Sequence, residues 1–318
     1  MQKVLIQTKV WKSVPPVLWV VLLLLVFFSI TAPSFLTVRN ILSIVLQGSV
    51  LLMVSVAATF ILLSEGIDLS LGSLLTLSGV MTALSLQAGT PFPLAILIGI
   101  LTGVVCGGIS GALIAFAKLP PFIATLGMQG IAGGLAVVLT NASAIYIDAP
   151  SFVYLGGGTL GFLPMPAVIA LLVFGVSWVI LYQTSFGRYV ISIGGNENGS
   201  RLSGVSTNWW KFGIYVFAGA LAAIGGVVMS ARLQSAEPLV GVGWEFDAIA
   251  ATVLGGTSFE KGNGGIGGTV IGVALIAVLR NGLNFIGLTT MWQPAVIGVV
   301  IISAIVFDVM LKRSGAIQ

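Results

Sequence analysis

Histidine is absent from the 318 residues, and Cys106 is the single cysteine. A His-based catalytic triad and a His/Cys metal site are therefore excluded within the chain, as is an internal disulfide. Cys106 lies in an apolar run, where it reads as a small buried filler. Charge is scarce too. Asp, Glu, Lys and Arg make up 7% of the residues, against roughly 25% in a soluble domain. With 57% hydrophobic residues and a mean hydropathy of +1.13, this surface is not built for water. The phosphate-binding pattern G-x-x-x-x-G-K-[ST] is also missing, so the chain is not expected to hydrolyse ATP itself. No cofactor is expected.

What the chain does have is a series of unbroken apolar runs of helix length, which is not the ten-residue alternation of a membrane β-barrel. The fold class is therefore an all-α polytopic membrane protein. About 20 apolar residues cross a bilayer core, and on that measure ten spans are predicted: 15–32, 41–63, 70–88, 93–117, 121–140, 166–182, 211–231, 240–257, 265–286 and 292–311. The first twelve residues, with Lys3, Lys9 and Lys12, and the run Pro15–Ala32 resemble a signal peptide. The run is long and lacks a clear cleavage site, so it reads as a retained first span. With the N-terminus inside, Lys3, Lys9, Lys12, Lys118, Arg188, Arg201, Lys211, Lys261, Lys312 and Arg313 all fall at cytoplasmic positions. Only Arg39 and Arg232 fall in outer loops, and Arg280 lies within a span. This asymmetry sets both termini inside. It also accounts for the net charge of +4 without nucleic acid as a partner, because the basic residues sit at span ends. Glu245 and Asp247 interrupt the weakest span, 240–257, and are expected near the outer interface or facing the bundle interior.

The longest polar interruption is Tyr182–Lys211. It is rich in Gly, Asn and Ser, and sets Arg188, Arg201 and Lys211 against the single acid Glu197. Positioned between spans, it reads as a cytoplasmic surface for a partner. The one sizeable outer segment, Asn141–Met165, carries Tyr146, Phe152, Tyr154 and Phe162, and is expected to pack on the bundle mouth. Gly99, Gly103, Gly107 and Gly111 recur every fourth residue, as do Gly264, Gly268 and Gly272. That spacing puts each series on one helix face, where another backbone can approach closely. The placement also hints at two halves, spans 2–5 and 7–10, in opposite orientation as an inverted repeat.

Polar residues at membrane depth are few. Glu65, Asp68, Ser70 and Ser73 lie in Glu65–Ser73, where Asp68 or Ser70 could cap the helix that follows. In the other reading, Glu65 and Asp68 line or gate a path for a polar solute. Gln47, Asn281, Asn284 and Gln293 are uncharged amides, suited to bonding neighbouring helices or to contacting a passing hydroxyl. Two G-x-G-x-x-G matches, at Gly156, Gly158, Gly161 and at Gly262, Gly264, Gly267, lie between spans. They lack the preceding strand a dinucleotide site requires.

Several segments together carry a resemblance: SEGIDLSLGS, PPFIATLG at 120–127, IGGNENGSRLSGV at 193–205, and the long run at 241–272. They are similar to the signature segments of bacterial ABC sugar-import permeases of the ribose/xylose/arabinose group, which includes autoinducer-2 permeases. NGLNFIGL at 281–288 looks closest to the ribose permeases. The pair Glu260-Lys261 departs from the family, which more often has small residues there. The resemblance covers roughly 35–311 and implies a single permease domain over 1–318. Within it, 1–14 is a cytoplasmic N-terminal segment, 183–210 a cytoplasmic coupling loop and 141–165 an outer loop. It implies location in the bacterial cytoplasmic membrane and import of a monosaccharide. The implied partners are ABC ATPase subunits inside, a second permease copy or paralogue, and an extracytoplasmic sugar-binding protein. On this reading Gly187, Arg188, Gly194, Gly195, Asn196, Arg201, Leu202 and Gly204 couple the ATPase to the permease. Asp68, Ser70, Asn281 and Asn284 are the expected pathway residues. A secondary transporter of a small neutral solute is the alternative, although it normally carries intramembrane acids or bases as relays. An intramembrane enzyme has few options without histidine.

Overall fold

The computed structural model describes residues 16–258, 262–289, 291–300 and 302–303. The segment 1–14, the cations Lys261, Lys312 and Arg313, and the pair Glu260-Lys261 lie outside them. In chain order the helices are α1 (Pro16–Thr31), α2 (Val38–Leu63), α3 (Leu71–Gln87), α4 (Phe92–Ala115), α5 (Pro121–Leu139) and α6 (Pro150–Gly157), followed by α7 (Met165–Gln183), α8 (Ser185–Leu202), α9 (Thr207–Leu233), α10 (Trp244–Leu254) and α11 (Ile266–Phe285). A further helical stretch covers 293–300. The two-residue strands β1 (Ile145–Tyr146) and β4 (Ser235–Ala236) pair antiparallel, as do β2 (Thr159–Leu160) and β3 (Leu163–Pro164). Among the described residues, six helices are long and apolar enough to cross a membrane: α2, α4, α5, α7, α9 and α11. The chain is thus an all-helical polytopic membrane protein.

Local chemistry explains the boundaries. Prolines stand in the first turns of α4, α5, α6 and α7, where a missing N–H costs nothing. Thr37 caps α2 by accepting from the Asn40 amide. At its other end α2 closes with the Gly66 N–H on the Ile61 carbonyl and the Glu65 N–H on the Leu62 carbonyl. This is the Schellman arrangement, with Glu65 left-handed at φ 58°.

The core lies where α2 and α9 run through the centre, and the outer face is apolar. In α4, Leu97, Leu101, Val105 and Ile109 are exposed on one side, while Gly99, Gly103, Gly107 and Gly111 are buried on the other. A Cβ on Gly103 would lie 2.4 Å from the Gly219 carbonyl oxygen of α9. Gly107 and Gly111 meet the Tyr215 and Phe212 carbonyls of α9 in the same way. In α11, Gly268 and Gly272 approach the Gly255 carbonyl just past α10 and the Ala251 carbonyl within it. Gly264 does not extend that face: it precedes α11, at φ 129°.

The packing partners are exchanged between the halves of the chain. α9 packs on α3 and α4, whereas α2 packs on α10 and α11. Polar groups reinforce the second set. The Thr59 hydroxyl lies 2.8 Å from that of Thr269, and Thr252 donates to the Ser55 carbonyl at 3.1 Å.

Two sequence expectations change. The predicted span 240–257 is a helix only from Trp244 to Leu254, about 16 Å at 1.5 Å per residue. Gly243 at φ 87° precedes it and Gly256 at φ 90° follows it, so α10 alone does not reach across a bilayer. Glu245 and Asp247, on its first turn, are both buried in the bundle. The segment 141–165, predicted to lie outside, is tethered by β1–β4 and by fully buried Phe152, but Tyr146, Tyr154 and Phe162 are exposed.

Candidate functional site

Most of the polar stretch 182–211 is helix, not open loop. α8 contains one non-helical residue, Asn196, at φ −165° and ψ 97°. The chain leaves the helix there and re-enters it, and the Asn196 Oδ1 accepts from the Gly199 N–H at 2.7 Å. That is an N-cap, so the side chain that ends the first arm starts the second. The hydroxyls of Ser192 and Ser200 are 2.6 Å apart, and Ser200 also donates to the Ser192 carbonyl at 3.0 Å, closing the arms on each other. An ion pair of 2.5 Å between Glu197 and Lys211 ties the second arm to the start of α9.

The eight predicted coupling residues divide into two sets. Gly187 and Gly194 are buried. A Cβ on Gly187 would lie 1.9 Å from the Leu181 carbonyl oxygen, and one on Gly194 would lie 1.9 Å from that of Leu63. Gly194 also faces the Gly262 Cα, so α8 touches both the end of α2 and the loop before α11. Arg188, Gly195, Asn196, Arg201, Leu202 and Gly204 are exposed. Arg201 donates to the Asn198 Oδ1 at 3.1 Å, Gly204 has φ 85°, and Leu202 is 87% exposed. A large apolar side chain beside a fixed guanidinium is a surface suited to another protein.

The structure separates the four predicted pathway residues. Asp68 is buried, and its Oδ1 accepts from both the Ser70 N–H (2.7 Å) and the Ser70 hydroxyl (2.6 Å). Ser70 makes no side-chain cap on α3; the Asp68 carboxylate serves the amide that needs one. Among the described residues, Asp68 Oδ2 and the buried Tyr215 hydroxyl have no hydrogen-bond partner. A Cβ on Gly72, in the first turn of α3, would lie 2.2 Å from both the Gly241 carbonyl and a Glu245 carboxylate oxygen. Glu245 also accepts from Gln129 at 3.0 Å, about halfway along α5. So α3 and α10 both begin near mid-depth, with Asp68 beside one N-terminus and Glu245 in the first turn of the other. Carboxylates there offset the partial positive charge of free backbone amides.

Asn281 takes the first of the two roles its amide suggested. Its amide and that of Asn40 bond reciprocally, at 2.9 and 3.0 Å, joining α11 to α2. Both side chains are buried, so Asn281 ties two helices in this structure. Asn284, one turn later, accepts from Gln293 at 2.6 Å and lines a cavity of about 370 Å³ that Asp68 and Ser70 do not reach. Sequence reading missed Arg280 and Asp247 as a pair. The Arg280 guanidinium bonds the Asp247 carboxylate from α11 to α10. The signal was there, since a lone arginine inside a span requires a partner.

Over residues 40–305 the chain matches the family described as branched-chain amino acid transport system / permease component. It is 38% identical over 305 residues to the ribose import permease protein RbsC of Escherichia coli (strain K12), with 95% of both chains covered. It is 40% identical over 288 residues to RbsC of Bacillus subtilis (strain 168), covering 90% of this chain and 89% of the relative. The D-allose transport system permease protein AlsC of Escherichia coli (strain K12) is 37% identical over 289 residues, covering 91% and 89%. No solved structure matches the chain. With its apolar helices and its near end-to-end similarity to import permeases, this chain belongs to the permease-component family of the branched-chain amino acid transport system type.

Proposed function

We propose that this chain is the membrane-spanning permease subunit of an ATP-driven importer, and that its solute is a ribose-like monosaccharide. The observation that carries this reading is its 38–40% identity to ribose import permeases over at least 90% of its length. The allose permease, at 37%, keeps an aldohexose as the second candidate solute. ATP hydrolysis belongs to separate subunits on the cytoplasmic face, which seat α8 through Arg188, Asn196, Arg201 and Leu202. Ten crossings place both termini inside, with α10 and the chain around it forming one broken crossing. The exchanged packing of α2 and α9 supports an inverted repeat. A second permease copy and an extracytoplasmic sugar-binding protein complete the assembly, in the bacterial cytoplasmic membrane.

The mechanism follows from that arrangement. ATP-driven closure of the ATPase subunits moves α8. Its backbone contacts at Leu63 and Gly262 carry the motion to α2 and to the α10–α11 loop, and the two halves rock about their shared core. The test is sugar uptake into proteoliposomes holding the permease, its ATPase subunits and the binding protein. Ribose accumulation that requires ATP and withstands an ionophore is the expected result. Uptake by the permease alone, or uptake abolished by the ionophore, would sink the reading.

A further inference from the structure

The cavity beside Asn284 lies between α2, α9, α10, α11 and the helical stretch after 292. Its wall comes from the last turn of α9 (Arg232), the first turn of α10 (Trp244, Asp247), the last turns of α11 (Arg280, Asn284), and Gln47 of α2. On the orientation proposed above, these positions are in the outer half of the bundle, on the side where a binding protein delivers its cargo. Its volume, about 370 Å³, falls in the range of small-molecule sites, roughly 300–1,000 Å³.

Its chemistry is unlike the rest of the interior. One indole, two guanidiniums, one carboxylate and three amides converge on a space bounded elsewhere by Leu51, Met229 and Ala277. The charges are incompletely satisfied. Arg280 reaches Asp247 through Nη2, but its Nε is buried without a hydrogen-bond acceptor among the described residues. Buried donors ordinarily find partners, so the Arg280 side chain that lines the cavity still carries an unsatisfied donor, which a small shift of the guanidinium would turn to a ligand oxygen. Arg232 likewise has no acidic partner among the described residues.

We infer that this cavity is a monosaccharide subsite within a single permease chain: Trp244 stacks on the carbon face of the ring, while Arg280, Asp247, Asn284 and Gln47 bond its hydroxyls. A sugar ring has one apolar face for an indole and vicinal hydroxyls that a guanidinium–carboxylate pair can both donate to and accept from. The inference rests on the sugar-import reading above and deepens it. The sugar released at the mouth has a defined stop before the bundle turns inward.

The test uses the assembled importer in proteoliposomes, with Cys106→Ala removing the native thiol. Gln47→Cys and Asn284→Cys probe the cavity, and Ser143→Cys, exposed in the outer segment, is the control. A membrane-impermeant methanethiosulfonate is added from outside with and without millimolar ribose. At least about a threefold slowing at 47 and 284, with none at 143, is the expected result. Equal rates with and without ribose, in an importer that still accumulates ribose, overturn the subsite and leave the import reading standing. Absence of ATP-driven uptake by the unmodified importer fails the import reading instead, and the subsite with it. No labelling at either cavity position shows it is not reached from outside and also overturns the subsite. So does slowing by ribose 5-phosphate or inorganic phosphate but not by ribose, which identifies an anion site. As a second readout, Trp244→Ala is expected to raise the apparent KM for uptake about three- to tenfold, the loss of one stacking contact. Trp244→Phe restores it, and an unchanged KM in the alanine variant counts against the stack.

Discussion

Asn281 and Asn284 differ by three positions, and their surroundings give them different work. Asn281 spends its amide on Asn40, whereas Asn284 holds Gln293 at the cavity edge. Interhelical side-chain bonds within membranes are worth about 0.6 to 2 kcal/mol each. Asn281→Leu is therefore expected to lower permease stability by about 1 kcal/mol, read as a reduced melting midpoint in detergent, while uptake per folded molecule is retained. Unchanged melting together with altered uptake would return Asn281 to the pathway. Asp247 and Arg280 face a harsher balance. Removing one partner of a buried ion pair leaves the other charge uncompensated, typically a cost of about 3–5 kcal/mol. Arg280 is about a third exposed, so solvent screening brings the cost below that range. Asp247→Asn should destabilise by about 2–3 kcal/mol, and Arg280→Met in the same chain should recover part of it. An additive double variant would show that the two charges do not act as a pair.

At the level of the helices, glycine position decides the outcome of substitution. Gly103 is pressed on the α9 backbone, so Gly103→Val is expected to abolish accumulation of folded permease. Gly103→Ala should cost about 1–3 kcal/mol through overpacking. Gly130, in the middle of α5, has nothing within 4 Å of where its Cβ would stand. Gly130→Ala should instead stabilise the single chain by about 0.5–1 kcal/mol, since alanine loses less conformational freedom in a helix. Thermal unfolding of both variants checks the contrast, and equal destabilisation would sink it. Spacing of four alone did not distinguish the two sites. It placed the Gly99–Gly111 series correctly because lipid-facing leucines and valines alternate with it around α4, giving the helix an inside and an outside. It misassigned Gly264, because a glycine just before a helix obeys the same arithmetic as one within it. The α10 boundaries were hidden for a related reason. Hydropathy over 240–257 averages across a helix start, and only Gly243 and Gly256, with their positive φ, mark where the backbone turns. That Arg201 and Asn196 stand on an exposed stretch was legible because polar residues stand out among apolar ones. The Arg280–Asp247 pair was not, since its members are thirty-three positions apart and meet only through the antiparallel packing of α10 and α11.

For the molecule as a whole, the exposed face of α8 is where assembly is to be tested. Arg201→Glu reverses a charge on that face without touching the core. Opposed like charges cost several kcal/mol at an interface, so ATP-driven uptake should fall by about tenfold or more, with the permease still folded and inserted. Unaltered uptake would remove Arg201 from the contact. Asn198→Cys in a Cys106→Ala background should react only with reagent on the inner side of sealed, oriented vesicles, and labelling from outside would invert the proposed topology. One contact on the hidden side of α8 carries a further consequence. Since Gly194 offers no side chain, the Leu63 carbonyl and the Gly262 backbone rest directly against the helix. Main chain cannot swing aside as a rotamer can, so on the coupling role proposed for α8 a tilt would pass to both contacts without backlash. A single methyl added there would act as a wedge, prising the helix off the chain it rests on.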